Sequence, residues 1–225
     1  MTLTIYGGTL SPFVARCWIQ VQAKRLPVTF LPVPGSGKPS DPGYRTINPL
    51  GKIPALIDDG RLVPECEVIC EYLEDRFPEP SLRPSTPAGR AQMRLISRIV
   101  DLYGLSPMIA LFFELWNGTR RPDVIAAESK KFLTALDHLD HFLSDGPYAA
   151  GEKLTLADCA LIPQVFFAFA YLPPVGVREP LAGRGKLDRW WRFIGNVPVG
   201  RSACAMLEHE LRVWWKPKGS PPAPQ

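Results

Sequence analysis

Asn48-Pro49-Leu50-Gly51-Lys52-Ile53-Pro54-Ala55-Leu56 is the stretch whose reading decides the fold. Two prolines and a glycine punctuate it, and Ala55-Leu56-Ile57 is a short apolar run. It reads as a loop entering a buried strand at Pro54. A proline at the mouth of a strand has no N–H to give to a ladder. If its peptide bond is cis, the chain turns sharply there. The N–H and C=O of Ile53 then point outward, where an extended peptide can pair with them as an added strand. An ordinary loop-to-strand joint fits the same residues equally well, so the reading turns on what flanks them.

Upstream, Leu3 to Tyr6 alternates apolar and polar and stops at Gly7-Gly8, which predicts a strand. Phe13, Val14, Cys17, Trp18 and Val21 recur at helical spacing. Ser11 before Pro12 is a helix start, with serine at the N-cap and proline in the first turn. Val28 to Val33 predicts a second strand, interrupted by Pro32. Strand, helix and strand of these lengths make a right-handed βαβ unit. Asp41 to Ile47 has room for a short helix. The nearby Gly37-Lys38 lacks the spacing of a phosphate loop. Downstream, Ala55–Asp58 and Arg61–Val63 flank the hairpin turn Asp59-Gly60. Val68, Ile69, Tyr72 and Leu73 then mark an amphipathic helix ending near Phe77-Pro78. The order is β-α-β-α-β-β-α.

Prolines 78, 80, 84 and 87 crowd the next segment. Residues 79–87 read as a linker between a domain of residues 1–78 and a second of residues 88–215. The second domain carries no strand pattern. Residues 88–118 place Leu95, Ile99, Leu102, Leu111 and Leu115 at helical spacing, with a kink expected before Pro107. Residues 123–144 continue as a helix that Gly146-Pro147 stops. Thr155 and Asp158 resemble a capping box. They open the most apolar stretch, residues 159–177, where Pro163, Gln164 and Pro173-Pro174 argue for a buried core helix against a membrane span. Residues 184–195 and 198–212 predict two more helices. Residues 216–225, with four prolines, read as a flexible tail.

Composition narrows the function classes. An apolar share of 46% in 225 residues is ample for a core, and 21% charged is ordinary for a soluble chain. A net charge of +4 with scattered basic residues argues against nucleic-acid binding. Cysteines 17, 66, 70, 159 and 204 and histidines 138, 141 and 209 have no metal-ligand spacing, so no metal is expected. Reduced thiols point to a cytoplasmic protein. MTLTIYGG lacks the features of a signal peptide.

Four motifs, in order along the chain, resemble the cytosolic glutathione S-transferase family of the serine type. Ser11-Pro12-Phe13-Val14-Ala15-Arg16 is similar to its catalytic turn, and residues 48–56 to its cis-proline segment. Glu65-Cys66 with Ile69 and Tyr72-Leu73 matches E-S-x-x-I-x-x-Y-L, and Leu154-Thr155-Leu156-Ala157-Asp158 matches its N-capping motif. The resemblance implies an α+β fold: a thioredoxin-like N-terminal domain (βαβαββα) followed by an all-α helical domain. It implies a homodimeric enzyme with glutathione as co-substrate and a small hydrophobic electrophile as partner, and neither nucleic acid nor membrane.

The same resemblance assigns roles. Ser11 is the catalytic residue, a hydrogen-bond donor to the thiolate at a helix N-terminus, where the helix dipole also favours an anion. Ile53, after Lys52 and before Pro54, pairs its backbone with the cysteinyl unit of glutathione. Lys52 reaches the glycyl carboxylate, and Glu65 holds the γ-glutamyl ammonium. Cys66 stands where the family has serine; it keeps the N–H but is a weak donor, so weaker glutathione binding is expected. Cys66 reads either as an inert half-buried thiol or as an oxidation-sensitive one. Phe13, Tyr103, Met108 and Phe112 are expected to line the electrophile pocket, although aromatics at helical spacing also serve as core. Arg16 is expected to form a structural ion pair.

Substitution, addition and ether or thioether cleavage stay open as reactions. Isomerisation of a maleyl compound is disfavoured, because that class carries Ser-Ser-Cys where this chain has Thr9-Leu10-Ser11. Two other readings remain: a glutathione-dependent thiol oxidoreductase, which would need a cysteine at position 11, and a non-catalytic binding protein of the same fold.

Overall fold

The computed structural model describes residues 3–214. The expected tail, residues 216–225, lies outside them. The chain divides into two compact units between Leu82 and Arg83, inside the proline-rich segment.

The first unit holds β1 (Leu3–Tyr6), α1 (Pro12–Lys24), β2 (Val28–Leu31), α2 (Pro42–Ile47), β3 (Ala55–Asp58), β4 (Arg61–Pro64) and α3 (Cys66–Arg76). β2 stops at Leu31, two residues short of the expectation, since Pro32 offers no ladder N–H. The sheet order is β2-β1-β3-β4. β1 runs parallel to β2 and antiparallel to β3, and β3 and β4 form the hairpin. Tyr6 pairs with Ala55, and Ala55 with Pro64. That row is where the chain leaves β1, enters β3 and leaves β4, so three connections gather at one end of the sheet.

Alternation along β1 sends Leu3 and Ile5 into the core and Tyr6 to the opposite face. There Tyr6 meets the buried ring of Tyr44 edge-on at 6.3 Å, in a cluster with Val33 and Ala55. α1 packs on α3 through buried apolar residues and one sealed polar tie. Gln20 Nε2 donates to the Cys70 carbonyl (2.8 Å) and to Glu74 Oε1 (3.1 Å), and Lys24 Nζ lies 2.9 Å from the same carboxylate.

The second unit is helical: α4 (Pro87–Ile99), α5 (Leu105–Trp116), α6 (Pro122–Phe142), α7 (Leu156–Tyr171), α8 (Gly185–Ile194) and α9 (Pro198–Trp214). A π turn over Val100–Gly104 joins α4 to α5, so the break expected before Pro107 takes the form of a widened turn that ends three residues before the proline. The widened turn includes Tyr103, whose carbonyl would otherwise wait for the N–H that Pro107 lacks. α6 ends at Phe142, before Gly146-Pro147 can act on it.

α7 begins at the Thr155–Asp158 capping box and is buried along almost its whole length. The Asp158 carboxylate accepts from Thr155 N–H (2.8 Å), Thr155 Oγ1 (3.0 Å), Ala149 N–H (2.8 Å) and Trp190 Nε1 (2.9 Å). Burial pushes that carboxyl up, and the donors oppose the shift. By length and composition Leu156–Val175 and Pro87–Trp116 are apolar enough to cross a membrane. The apolar window of the former is mostly buried inside this unit, as in the core helix of a globular fold, and that of the latter is half buried.

Candidate functional site

The end of the sheet marked by Tyr6, Ala55 and Pro64 collects the residues singled out in the N-terminal unit. From Tyr6 the chain passes through Gly7-Gly8 to Ser11; from Ala55 it leads back to Pro54, Ile53 and Lys52; from Pro64 it leads on to Glu65 and Cys66. Gly7 brings the first two strands of this junction into contact. Its φ is +140°, and a Cβ there would lie 2.7 Å from Val14 Cγ2 and 3.1 Å from Ile53 Cβ. Glycine alone fits both the backbone and the space.

Ser11 is the N-cap of α1, half-buried, and Pro12 follows at the first helical position. Its N–H donates to the Gly8 carbonyl at 3.0 Å, which closes the turn. Its side chain makes no capping hydrogen bond to the helix. An N-cap serine normally spends its oxygen on the N–H groups of the first turn. Here the hydroxyl is left to another acceptor, and the first-turn donors keep their positive end of the helix dipole.

The Ile53–Pro54 peptide bond is cis. Pro54 is buried, Ile53 half-buried and Lys52 exposed. The Lys52 carbonyl accepts from Tyr44 Oη at 2.7 Å and from Asn48 Nδ2 at 2.8 Å. Asn48 is fully buried, and its Oδ1 takes the Leu50 N–H at 3.2 Å. Tyr44 and Asn48 therefore set the backbone that presents Ile53. Neither was singled out from sequence, although Asn48 opens the deciding stretch; an asparagine beside Pro49 at the mouth of the loop was the one signal the sequence carried.

Glu65 is exposed and caps α3 with φ 70° and ψ 123°, and its side chain makes no capping bond. A glutamate at positive φ costs on the order of 1 kcal/mol or more, and such residues gather where ligands are held. Cys66 is the first residue of α3 and 7% exposed. Behind it, Ile69 and Leu73 are fully buried, and Tyr72 Oη donates to Asp58 Oδ2 at 2.6 Å. The apolar positions of the E-x-x-x-I-x-x-Y-L pattern thus anchor α3, and its tyrosine ties the helix to the end of β3. Arg16, buried, pairs with Glu67 as expected of a structural ion pair, and it joins the second turn of α1 to the first turn of α3.

The residues expected to line an electrophile pocket are placed as follows. Phe13 stands half-buried in α1. In the helical unit Tyr103 is half exposed in the π turn, edge-on to His138 at 5.7 Å. Met108 is buried at 2% exposure, a core position. Phe112 joins an aromatic group, stacked with Trp116 at 5.7 Å and 5.8 Å from Tyr171. Phe113 and Trp214, the latter 6.3 Å from Trp116, are each more than half exposed. Among the described residues no group of three or more His, Cys, Asp or Glu is arranged to hold a metal.

Residues 5–81 match the family model described as the glutathione S-transferase N-terminal domain, and residues 122–194 match that of the C-terminal domain. Over 179 residues the chain is 35% identical to glutathione S-transferase Z2 of Arabidopsis thaliana, covering 74% of this chain and 77% of that protein. It is 30% identical over 174 residues to a maleylacetoacetate isomerase of Pseudomonas aeruginosa, 75% of this chain and 81% of the relative. The crystal structure of poplar glutathione transferase F1 superposes with a TM-score of 0.78 at 22% identity, over 93% of this chain and 99% of the other, a likeness of fold.

Proposed function

The chain belongs to the glutathione S-transferase family, and from that premise we propose that it transfers glutathione thiolate to a small hydrophobic electrophile, with the thiol activated by Ser11. The observation that carries this reading is the Ser11 hydroxyl itself. It sits at the start of α1 without capping the helix, at the sheet end shared by Ile53, Glu65 and Cys66. A hydrogen bond to a thiolate, added to the helix dipole, lowers the thiol pKa, and a charged acceptor makes the bond worth about 1.5–3 kcal/mol.

In this reading glutathione lies extended along the end of the sheet. Ile53 pairs with its cysteinyl backbone. Lys52 neutralises the glycyl carboxylate as a mobile point charge. Glu65 takes the γ-glutamyl ammonium, and the Cys66 N–H, at the start of α3, takes the γ-glutamyl carboxylate. Orientation of the bound thiol supplies much of the rate, because the attack becomes effectively unimolecular once the electrophile is seated. The thiolate attacks an electrophilic carbon, the leaving group departs, and the thiol proton goes to solvent. On family membership we assign Phe13 of the first unit and, separately, Tyr103 and Phe112 of the helical unit to the electrophile; Met108, buried, belongs to the core of the helical unit. We assign the protein to the cytoplasm as a homodimer, on family membership.

Isomerisation is a second reading, supported by the similarity to a maleylacetoacetate isomerase. Thr9-Leu10-Ser11 weighs against it, since that class carries Ser-Ser-Cys there.

The test is calorimetric titration of glutathione into the purified protein. Saturable binding, one per chain, with a dissociation constant in the micromolar to millimolar range supports the reading. A screen of aryl halides, activated alkenes, aryl ethers and a maleyl compound then separates transfer from isomerisation. No heat up to about 10 mM glutathione, beyond the usual range for small-molecule substrates, removes the proposal.

A further inference from the structure

Three of the five cysteines collect in one place, Cys17 on α1 with Cys66 and Cys70 on α3. Cys17 Sγ lies 3.9 Å from Cys70 Sγ and 3.8 Å from the Cys66 carbonyl oxygen. Cys17 and Cys70 are fully buried. The two helices are fixed on both sides of this contact. Towards the N-termini Arg16 pairs with Glu67, and towards the C-termini Gln20 and Lys24 bind Glu74, with Gln20 also on the Cys70 carbonyl. The sulfurs are therefore held face to face by contacts that do not involve them. That is the geometry in which one thiol captures an oxidised neighbour much faster than a thiol from solution does.

We propose that Cys17 and Cys70 are a modification site: a peroxide converts them to an intramolecular disulfide that staples α1 to α3. One sulfur, as thiolate, attacks a peroxide oxygen and becomes a sulfenic acid while water leaves. The second sulfur attacks the first and displaces its hydroxyl as a second water. Two thiols and one hydrogen peroxide thus give one disulfide and two waters; the sulfurs are oxidised and the peroxide oxygens reduced. The S–S bond is about 2.05 Å long, so the sulfurs close by roughly 2 Å, within reach of side-chain rotation and a small helix shift. Burial pushes the Cys17 thiol up, which keeps it protonated and makes the first attack slow. All three thiols are buried, so a peroxide reaches the pair during local opening of the packed helices. The staple joins the two helices whose first residues are Ser11's neighbour Pro12 and Cys66, yet its chemistry does not depend on the transferase reading.

The test treats the native protein with hydrogen peroxide, blocks remaining thiols with iodoacetamide, digests, and maps peptides by mass spectrometry. The expected result is a Cys17–Cys70 linked peptide, lost on dithiothreitol treatment, and a Tm several degrees above the reduced protein. Cys204→Ser should leave the link intact, and Cys70→Ala should abolish it. Because Cys70→Ala also alters the core, the map of the unmutated protein carries the test by itself. Recovery of Cys17 and Cys70 as alkylated thiols after full peroxide treatment and unfolding would overturn the proposal, as would a link through Cys66 or Cys204 instead.

Discussion

Lys24 and Glu74 face each other at 2.9 Å with side chains 0% and 1% exposed, an ion pair sealed inside the N-terminal unit. The pair is also the hub of a small network. Lys24 Nζ donates to the Pro80 carbonyl at 2.5 Å, and Glu74 Oε2 accepts the Leu82 N–H at 3.0 Å. The charges thus fasten α1, α3 and the chain leaving α3 to one another.

Removing one partner strands the other in a dry site. Glu74→Leu or Lys24→Met should each destabilise the protein by about 3–5 kcal/mol. The double variant should cost much less than the sum, since two apolar side chains of similar volume remove the stranded charge. Urea unfolding of the four proteins checks this. Additive losses would mean that the ion pair is not the connection between the helices.

Ser11→Ala removes the proposed thiolate donor and leaves the fold in place, because Ser11 makes no side-chain bond to α1. The expected loss in kcat/KM is about tenfold to a hundredfold, the value of one hydrogen bond to a charged acceptor. The pH–rate profile should shift as well. The bound thiol pKa should rise in the variant, so its rate should keep increasing at pH values where the parent has levelled off. A variant with unchanged rate and profile would show Ser11 to be a turn residue only.

Cys66→Ser restores a strong hydroxyl donor at the first residue of α3. Glutathione should bind about fivefold more tightly, one modest hydrogen bond of about 1 kcal/mol. Calorimetry on both proteins measures it. Equal affinity would place the γ-glutamyl carboxylate away from position 66.

What was legible from sequence is what short-range chemistry dictates. Ser11-Pro12 announces a helix start, Asp59-Gly60 a hairpin, and Pro54 a loop entering a strand, because each constrains its own backbone. The elements of the first unit follow in the expected order for that reason. Contacts between distant segments left no such mark. Lys24 is fifty residues from Glu74 and reads as one more charged helix residue until the helices are packed. Gly7 reads as a strand end, and only the approach of Ile53 and Val14 shows why no side chain fits there. The break before Pro107 was expected from the proline alone, but its form, a π turn over Val100–Gly104, was not, because the proline is visible in the sequence and the widening one turn earlier is not. Asn48 went unremarked because its task, holding the Lys52 carbonyl, exists only once the loop has closed.

Glu114 supplies a pH-dependent term in the helical unit. Its carboxylate takes Arg121 Nε at 3.0 Å, the Arg121 N–H at 3.0 Å and Thr119 Oγ1 at 2.9 Å, so it holds the end of α5 to the start of α6. Hydrogen bonds from Arg121, first from its side chain and then from its backbone, bring the Glu114 carboxyl down to about 2. The folded-state value is below the ordinary carboxylate range, so the unfolded chain takes up the proton first as pH falls. The stabilisation is therefore complete above that range and is lost progressively as pH drops towards about 2. Glu114→Gln should lower Tm at neutral pH, and the gap to the parent protein should narrow steadily below the ordinary carboxylate pKa. Thermal unfolding of both proteins across that pH series reads the difference directly. A gap that stays constant down to the lowest pH would assign the loss to packing and remove charge from the account of this helix junction.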